Sequence, residues 1–190
     1  MIPDWNIAGV LPPIRPGEDG HGTDRSPYAV SLRRVVERFA TSSQRIDILQ
    51  GLLSYRSELH NAGISNGFQW LDGSFAEQTE LLESRHPNDI DVVTFFCLPP
   101  GMDERTLAQN HADLFRPDQT KSRFRVDAYP CVLGQPTQSR HVKQIAYWYS
   151  MWSHRRNGVW KGFVQVDLAL GEDGEAAKAL DFIRQEGGRP

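Results

Sequence analysis

The sequence predicts an α+β fold, a mixed β-sheet of about four to five strands packed against helices and preceded by an N-terminal arm and two helices. Three observations carry this expectation. The chain opens with a Pro- and Gly-rich stretch, "LPPIRPGEDGHG". Two amphipathic helical patterns follow. From residue 67 onward, short β-branched and aromatic runs alternate with helical stripes. Strands that alternate with helices leave an α/β sheet open as the neighbouring class. With 190 residues, 39% of them apolar and 24% charged, the chain can bury a core without staples. We expect an extended arm over residues 1–28, a single domain over 29–186 and a flexible tail at 187–190.

The elements follow in order. Residues 28–40, "YAVSLRRVVERFA", carry Val30, Leu32, Val35, Val36 and Phe39 at helical spacing, with Ser26-Pro27 as the start signal. A longer helix runs through Ile46, Ile48, Leu49, Leu52, Leu53, Tyr55 and Leu59 and closes at Asn61-Ala62-Gly63. "GFQWLD" (67–72) reads as the first strand, ended by Gly73-Ser74. "FAEQTELLES" is a short helix, with Ser74 as its cap. "DIDVVTFFCL" is the second strand, stopped by Pro99-Pro100-Gly101. Residues 103–115 form a helix with acids in the first turn. Residues 122–130, "SRFRVDAYP", read as a third strand with Arg123, Arg125 and Asp127 on one face. Residues 139–156 form a helix with an inward stripe of Val142, Ile145, Ala146, Tyr149 and Trp152. "KGFVQVDLAL" (161–170) is a fourth strand after the Asn157-Gly158 turn, and residues 174–186 form a last helix.

Bulk properties narrow the function classes. The net charge is −3, which argues against a general nucleic-acid coat protein. The charge is uneven. Residues 1–115 hold 9 basic and 16 acidic groups, residues 116–161 hold 9 basic and 2 acidic, and residues 162–190 hold 3 basic and 6 acidic. The basic middle segment either faces a polyanionic ligand or meets the acidic segments inside the fold. Cys97 and Cys131 lie in apolar runs and read as buried free thiols, which suits a reducing compartment, with a disulfide between them as the alternative. The N-terminus lacks the basic and apolar regions of a secretory signal, and no apolar run approaches a membrane span. A cytoplasmic protein with no membrane partner is expected.

The chemistry centres on "FQWLDGSFAEQTELLESRHPNDIDVVTFF". Asp89 and Asp91 stand two apart at the head of a strand and so point to the same face. Two carboxylates that close repel each other, and something positive should sit between them. Asp127 lies on another strand, off its apolar face. Three carboxylates from adjacent strands make a hard, oxygen-rich pocket suited to Mg²⁺. Two such ions serve in-line phosphoryl displacement. Gly73 lets backbone approach a ligand, and Ser74 can hydrogen-bond an oxyanion. Arg125, Arg155, Arg156 and Lys161 are candidates to balance phosphate charge; Lys161 is one of only four lysines. Arg155-Arg156 also suits a helix C-terminus, and Trp148, Tyr149 and Trp152 read as core more readily than as a base-stacking surface. The six histidines show no metal-ligand spacing.

Taken together, "GSF…PNDIDVV" followed by "RVDAY" resembles the polymerase-β-type nucleotidyltransferase superfamily, in which a Gly-Ser turn precedes an Asp-x-Asp strand and a third Asp follows on a later strand. Most of the chain resembles a small, little-characterised bacterial nucleotidyltransferase-like group, through "IPDWNIAGVLPP", "WLDGSF" and "RRNGVWKGFVQVDL". The resemblance implies a nucleotidyltransferase-like domain over 29–186. It also implies two Mg²⁺ or Mn²⁺ ions on Asp89, Asp91 and Asp127, and an NTP, such as ATP, held at Gly73, Ser74, Lys161 and Arg125. The implied reaction moves an NMP to a hydroxyl on an RNA end, a protein or a small molecule. The alternative is a catalytically weak binding module of the same fold, an antitoxin-type or operon partner protein. A two-metal nuclease would not need the Gly-Ser bend. Glu77, Glu80 and Glu83 follow that bend and put negative charge beside the expected phosphate site.

Overall fold

The alternating strands feed two apolar layers, one on each side of a single sheet. The computed structural model describes residues 1–187, so all of the expected tail except Gly187 lies outside the described residues. Five strands form the sheet: β1 (Tyr28–Ala29), β2 (Gly67–Asp72), β3 (Ile90–Cys97), β4 (Val126–Leu133) and β5 (Val164–Asp167). Their order is β1-β5-β2-β3-β4. β1 with β5 and β3 with β4 are parallel, and β2 runs antiparallel to both β3 and β5. The helices are α1 (Leu32–Phe39), α2 (Ser43–Asn61), α3 (Thr79–Leu82), α4 (Glu104–Asn110), α5 (Pro117–Phe124), α6 (Ser139–Trp152) and α7 (Gly171–Gln185). Short 3-10 turns occupy Ser74–Ala76 and Ala112–Phe115. This is the α+β mixed sheet the sequence predicts.

The larger core lies on the face covered by α1, α2, α5 and α7. There Leu71, Ile90, Val92, Val126, Ala128, Val164 and Val166 from the strands meet Val35, Phe39, Leu49, Leu52, Phe124 and Leu180 from the helices. The wholly buried Arg56 on α2 crosses this layer. It donates to Asp173 at 2.7 Å, to Gln69 at 2.7 Å and to the Asp167 carbonyl at 3.0 Å, which satisfies its charge and ties α2 to α7, β2 and β5. The opposite face is smaller. Trp70, Val93, Phe95, Cys131 and Phe163 pack there under Trp148 and Trp152 of α6. Because β-strand side chains alternate, Asp91 and Asp127 fall on this second face, beyond the cover of the tryptophans.

Several local expectations are corrected. The predicted first helix loses its start to β1, because the Tyr28 and Val30 amides donate to the Phe163 and Gln165 carbonyls, and Ser31 caps α1 instead. The predicted strand 122–130 begins only at Val126. Pro117–Phe124 is helical, and Arg125 caps it in the left-handed conformation, φ 58°. Arg125 therefore does not share a strand face with Asp127. The 103–115 helix breaks after Asn110 into a 3-10 turn. α6 ends at Trp152, the fourth strand is confined to Val164–Asp167, and α7 begins at Gly171. The expected inward stripe of α6 is also rotated. Trp148 and Trp152 are buried, whereas Val142, Ile145 and Tyr149 are exposed. Both cysteines are free thiols; Cys131 is buried and Cys97 partly so. The arm packs rather than trailing: Ile2, Val10 and Leu11 are buried, and the Gly162 amide donates to the Leu11 carbonyl.

Candidate active site

Sheet register builds the site. Across the antiparallel β2–β3 ladder Asp72 pairs with Asp91, and across the parallel β3–β4 ladder Asp91 pairs with Asp127. Register partners on neighbouring strands point to the same face. Three carboxylates thus stand in a row at one end of the sheet, and Asp89 joins them from the residue before β3. Gly73, Ser74, Asp89, Asp91 and Asp127 all line one cleft of about 620 Å³. The bend and the acids that the sequence singles out are therefore brought together.

Gly73 is required by two separate constraints. Its φ is +79°, and a Cβ placed there would lie 2.7 Å from Asp91 Oδ2. Ser74 does not cap a helix as expected. Gly73 holds the cap position of the 3-10 turn, and the Ser74 hydroxyl has no hydrogen-bond partner among the described residues. The bend is fixed from behind. Arg45 of α2, wholly buried, donates to the Phe75 and Glu77 carbonyls at 2.6 Å each and to Glu80 at 2.6 and 2.9 Å. The arm adds Trp5 Nε1 donating to the Ala76 carbonyl at 2.8 Å and the Gly9 carbonyl accepting from the Gln78 amide at 2.8 Å.

The electrostatics divide the cleft into a sealed floor and an open rim. On the floor, Lys161 Nζ lies 2.9 Å from both Asp72 Oδ2 and Glu77 Oε1, with all three side chains buried. Arg155 closes the chain, its Nη2 lying 2.5 Å from Glu77 and 3.2 Å from Glu83. Burial alone would lower Lys161, but Asp72 and Glu77 outweigh it and hold the ammonium above its ordinary value. Burial would raise Glu77, but Lys161 and Arg155 bring it below the usual carboxylate range. Burial pushes Asp72 up to about 7 against the pull of Lys161. Asp72 Oδ1 is buried without a hydrogen-bond partner.

On the rim, Lys121 of α5 donates to Asp89 Oδ2 at 2.6 Å and lies 3.6 Å from Asp127 Oδ2. The cation expected between Asp89 and Asp91 stands instead between Asp89 and Asp127. The hydrogen bond to Asp89 raises Lys121 above its ordinary value. Burial, then repulsion from Asp127 and Asp89, pushes the Asp91 carboxyl up to about 6. Arg156 lines the same cleft with no ion-pair partner among the described residues.

Among the described residues, no three His, Cys, Asp or Glu side chains are gathered closely enough to hold a metal ion as they stand. The donor set nonetheless suits a hard divalent cation: carboxylate oxygens from Asp89, Asp91 and Asp127, the unpartnered Oδ1 of Asp72, and a cation position between Asp89 and Asp127 that the Lys121 ammonium takes.

The sequence profile of a family of unknown function, DUF6932, matches residues 3–167, most of the chain and every cleft residue named above. The chain belongs to the DUF6932 family. No curated protein and no solved structure matches it.

Within this DUF6932 chain two expected ligands sit differently from their sequence reading. Lys161 is the cation of a buried ion-pair network rather than a free phosphate ligand. Arg125 is exposed on the α5 cap and is not among the residues lining the cleft. The three glutamates after the bend do not crowd the site as free charges: Glu77 pairs with Lys161 and Arg155, Glu80 with Arg45, and Glu83 with Arg155 and Arg85. Sequence reasoning missed Asp72 and Lys121. The signal for Asp72 is its place immediately before Gly73, which an antiparallel partner strand turns toward Asp91.

Proposed function

We propose that this DUF6932 chain is a metal-dependent nucleotidyltransferase that moves an NMP from an NTP to an acceptor hydroxyl. One observation carries the reading: Asp91 is the register partner of Asp72 on one side and of Asp127 on the other, beside a glycine bend that only a residue without Cβ fits. The order of parts supports it, with a strand, a Gly-Ser bend, an acidic strand antiparallel to the first and a third acid on a parallel neighbour.

Asp89, Asp91 and Asp127 would hold Mg²⁺ or Mn²⁺, which supplies charge neutralisation for the triphosphate and the reacting oxygens. The chain's own residues do the rest. The free Ser74 hydroxyl donates to a phosphate oxygen, and the unpaired Arg156, lining the same cleft, neutralises phosphate charge. Lys121, displaced from Asp89, remains on the rim as a second cation. Asp127, one-fifth exposed, accepts the acceptor's proton as its oxygen forms a bond to the α-phosphorus; the bond from that phosphorus to the pyrophosphate oxygen breaks, and pyrophosphate leaves with its electron pair. The Lys161–Asp72–Glu77 floor orients the bend and excludes water beneath it.

A second reading is favoured by a specific observation. Lys121 already neutralises Asp89 and Asp127, as in a catalytically weak binding module or an antitoxin-type partner protein. Thermal unfolding with each of the four NTPs, with and without Mg²⁺, separates the two. A nucleotidyltransferase is stabilised by NTP only with the metal, and Asp89→Asn or Asp91→Asn abolishes the shift. No response to any nucleotide selects the binding module.

A further inference from the structure

Between Asp127 and Asp167 the chain contains no acidic residue, yet it holds Arg140, Lys143, Arg155, Arg156, Lys161 and two histidines. In the structure this stretch includes α6 and the loop after it. Part of that loop is a small hairpin, with Lys161 N bonded to the Ser153 carbonyl, His154 bridged to Trp160 and Arg155 bonded to Val159. The layer is also rich in exposed apolar side chains. Six of the twelve large hydrophobics exposed among the described residues lie here: Val142, Ile145, Tyr147, Tyr149, Met151 and Trp160.

The exposed groups are ordered along one flank of the helix. Arg140, Lys143, Tyr147 and Met151 follow the three- and four-residue spacing that keeps side chains on one side. Met151 forms part of the cleft wall beside the acids. Tyr147, 54% exposed, is anchored edge-on against Trp148 at 5.1 Å, and Trp148 packs on Tyr129, two residues beyond Asp127 on β4. Arg140 and Lys143 have no ion-pair partner among the described residues. Eleven residues of helix span roughly 16 Å, so the lane runs from the cleft mouth outward. Arg156, with no ion-pair partner among the described residues, also lines the cleft, and Trp160 on the same hairpin is 66% exposed.

A lane of free cations and open aromatic faces without a single acid complements a polyanion whose units stack. A flat apolar partner would leave the cations unpaired, and a folded acidic partner would make no use of the ring faces. We infer that the α6 flank and the 153–161 hairpin bind a single-stranded polynucleotide, RNA or DNA, and direct its terminal hydroxyl toward Asp127. The inference rests on the nucleotidyl-transfer reading only for the chemistry at the strand's end; the binding stands or falls separately.

The test uses the full chain and a fluorescein-labelled 12-nucleotide single strand, as RNA and as DNA, followed by anisotropy across a salt series, with polyglutamate as competitor. Binding should weaken with salt at a slope near −2 on logarithmic axes, about three contacts at roughly 0.7 each. Tyr147→Ala and the double variant Arg140→Glu/Lys143→Glu should each weaken binding about tenfold or more, and Tyr147→Phe should keep it. These side chains are exposed, and unchanged thermal unfolding verifies that the variants fold. A preference for RNA or for DNA identifies the strand. Absence of binding to both, equal binding by the variants, or equal competition by polyglutamate overturns the inference, the last in favour of an acidic protein partner. NTP stabilisation with Mg²⁺ is measured in parallel. Strand binding without it sinks nucleotidyl transfer and keeps the lane; the reverse sinks the lane and leaves transfer to a small-molecule or protein acceptor.

Discussion

Lys161 lies 2.9 Å from Asp72 beneath the acidic cleft, and both side chains are almost fully enclosed. The same ammonium reaches Glu77, so one lysine serves two buried carboxylates. Removing one partner of such a network leaves uncompensated charge. Lys161→Met should destabilise the fold by about 3–5 kcal/mol in urea unfolding. A freely exposed phosphate ligand would give no change in stability, and that result would move Lys161 back to the rim.

Asp91 makes stability pH-dependent in a defined direction. Its folded value of about 6 lies above the ordinary 3.8, so the folded state binds the proton more tightly than the unfolded chain. The resulting contribution is fully present below about pH 4 and is lost as pH rises through about 6. A shift of this size corresponds to about 3 kcal/mol. Asp91→Asn should therefore match the wild type at low pH and exceed it by up to about 3 kcal/mol at pH 7.5 without metal. Equal stability of the two at both pH values contradicts the assignment.

Gly73→Ala adds a Cβ at φ +79° and 2.7 Å from Asp91 Oδ2. A strained left-handed residue costs about 1–3 kcal/mol, and the contact also displaces the carboxylate. Unfolding should show the loss, and NTP stabilisation should vanish in the folded variant. Retention of both would mean that the bend is not part of the site.

Arg45 fastens the loop after the bend through two carbonyls and Glu80. Arg45→Met leaves those acceptors without a donor and should cost about 3 kcal/mol or more. Hydrogen exchange should rise first in residues 75–80. Uniform protection across that loop would contradict its role.

Much of this was legible in the sequence because strands have a strict period of two. Asp89 and Asp91 could be placed on one face from spacing alone, Asp127 could be placed off the apolar face of its own strand, and an apolar run flanked by Gly-Ser located the bend. Asp72 escaped notice because an Asp before Gly reads as an ordinary turn residue. Lys161 could be named as a cation but not paired, because its partner Glu77 lies 84 residues away in sequence. Lys121 escaped because the stretch that begins just after it reads as a strand, whereas Pro117–Phe124 is a helix, which turns the ammonium to Asp89 and Asp127. Arg125 was misplaced because Phe124 and Val126 look like alternating strand positions, whereas Phe124 closes a helix and Arg125 turns the chain. On α6 two stripes share helical spacing. Trp152 and the edge of Tyr149 reach Phe163, at 5.9 and 5.8 Å, whereas Val142 and Ile145 face outward.

The central claim is that Asp89, Asp91 and Asp127 gather divalent cations around a nucleotide. Electron paramagnetic resonance of Mn²⁺, titrated into the full chain with a non-hydrolysable NTP, counts the bound ions directly. Up to two ions per chain are expected with nucleotide present, lost in Asp91→Asn and restored by no other change. No bound ion in the wild type, or the same number in Asp91→Asn, would contradict the account.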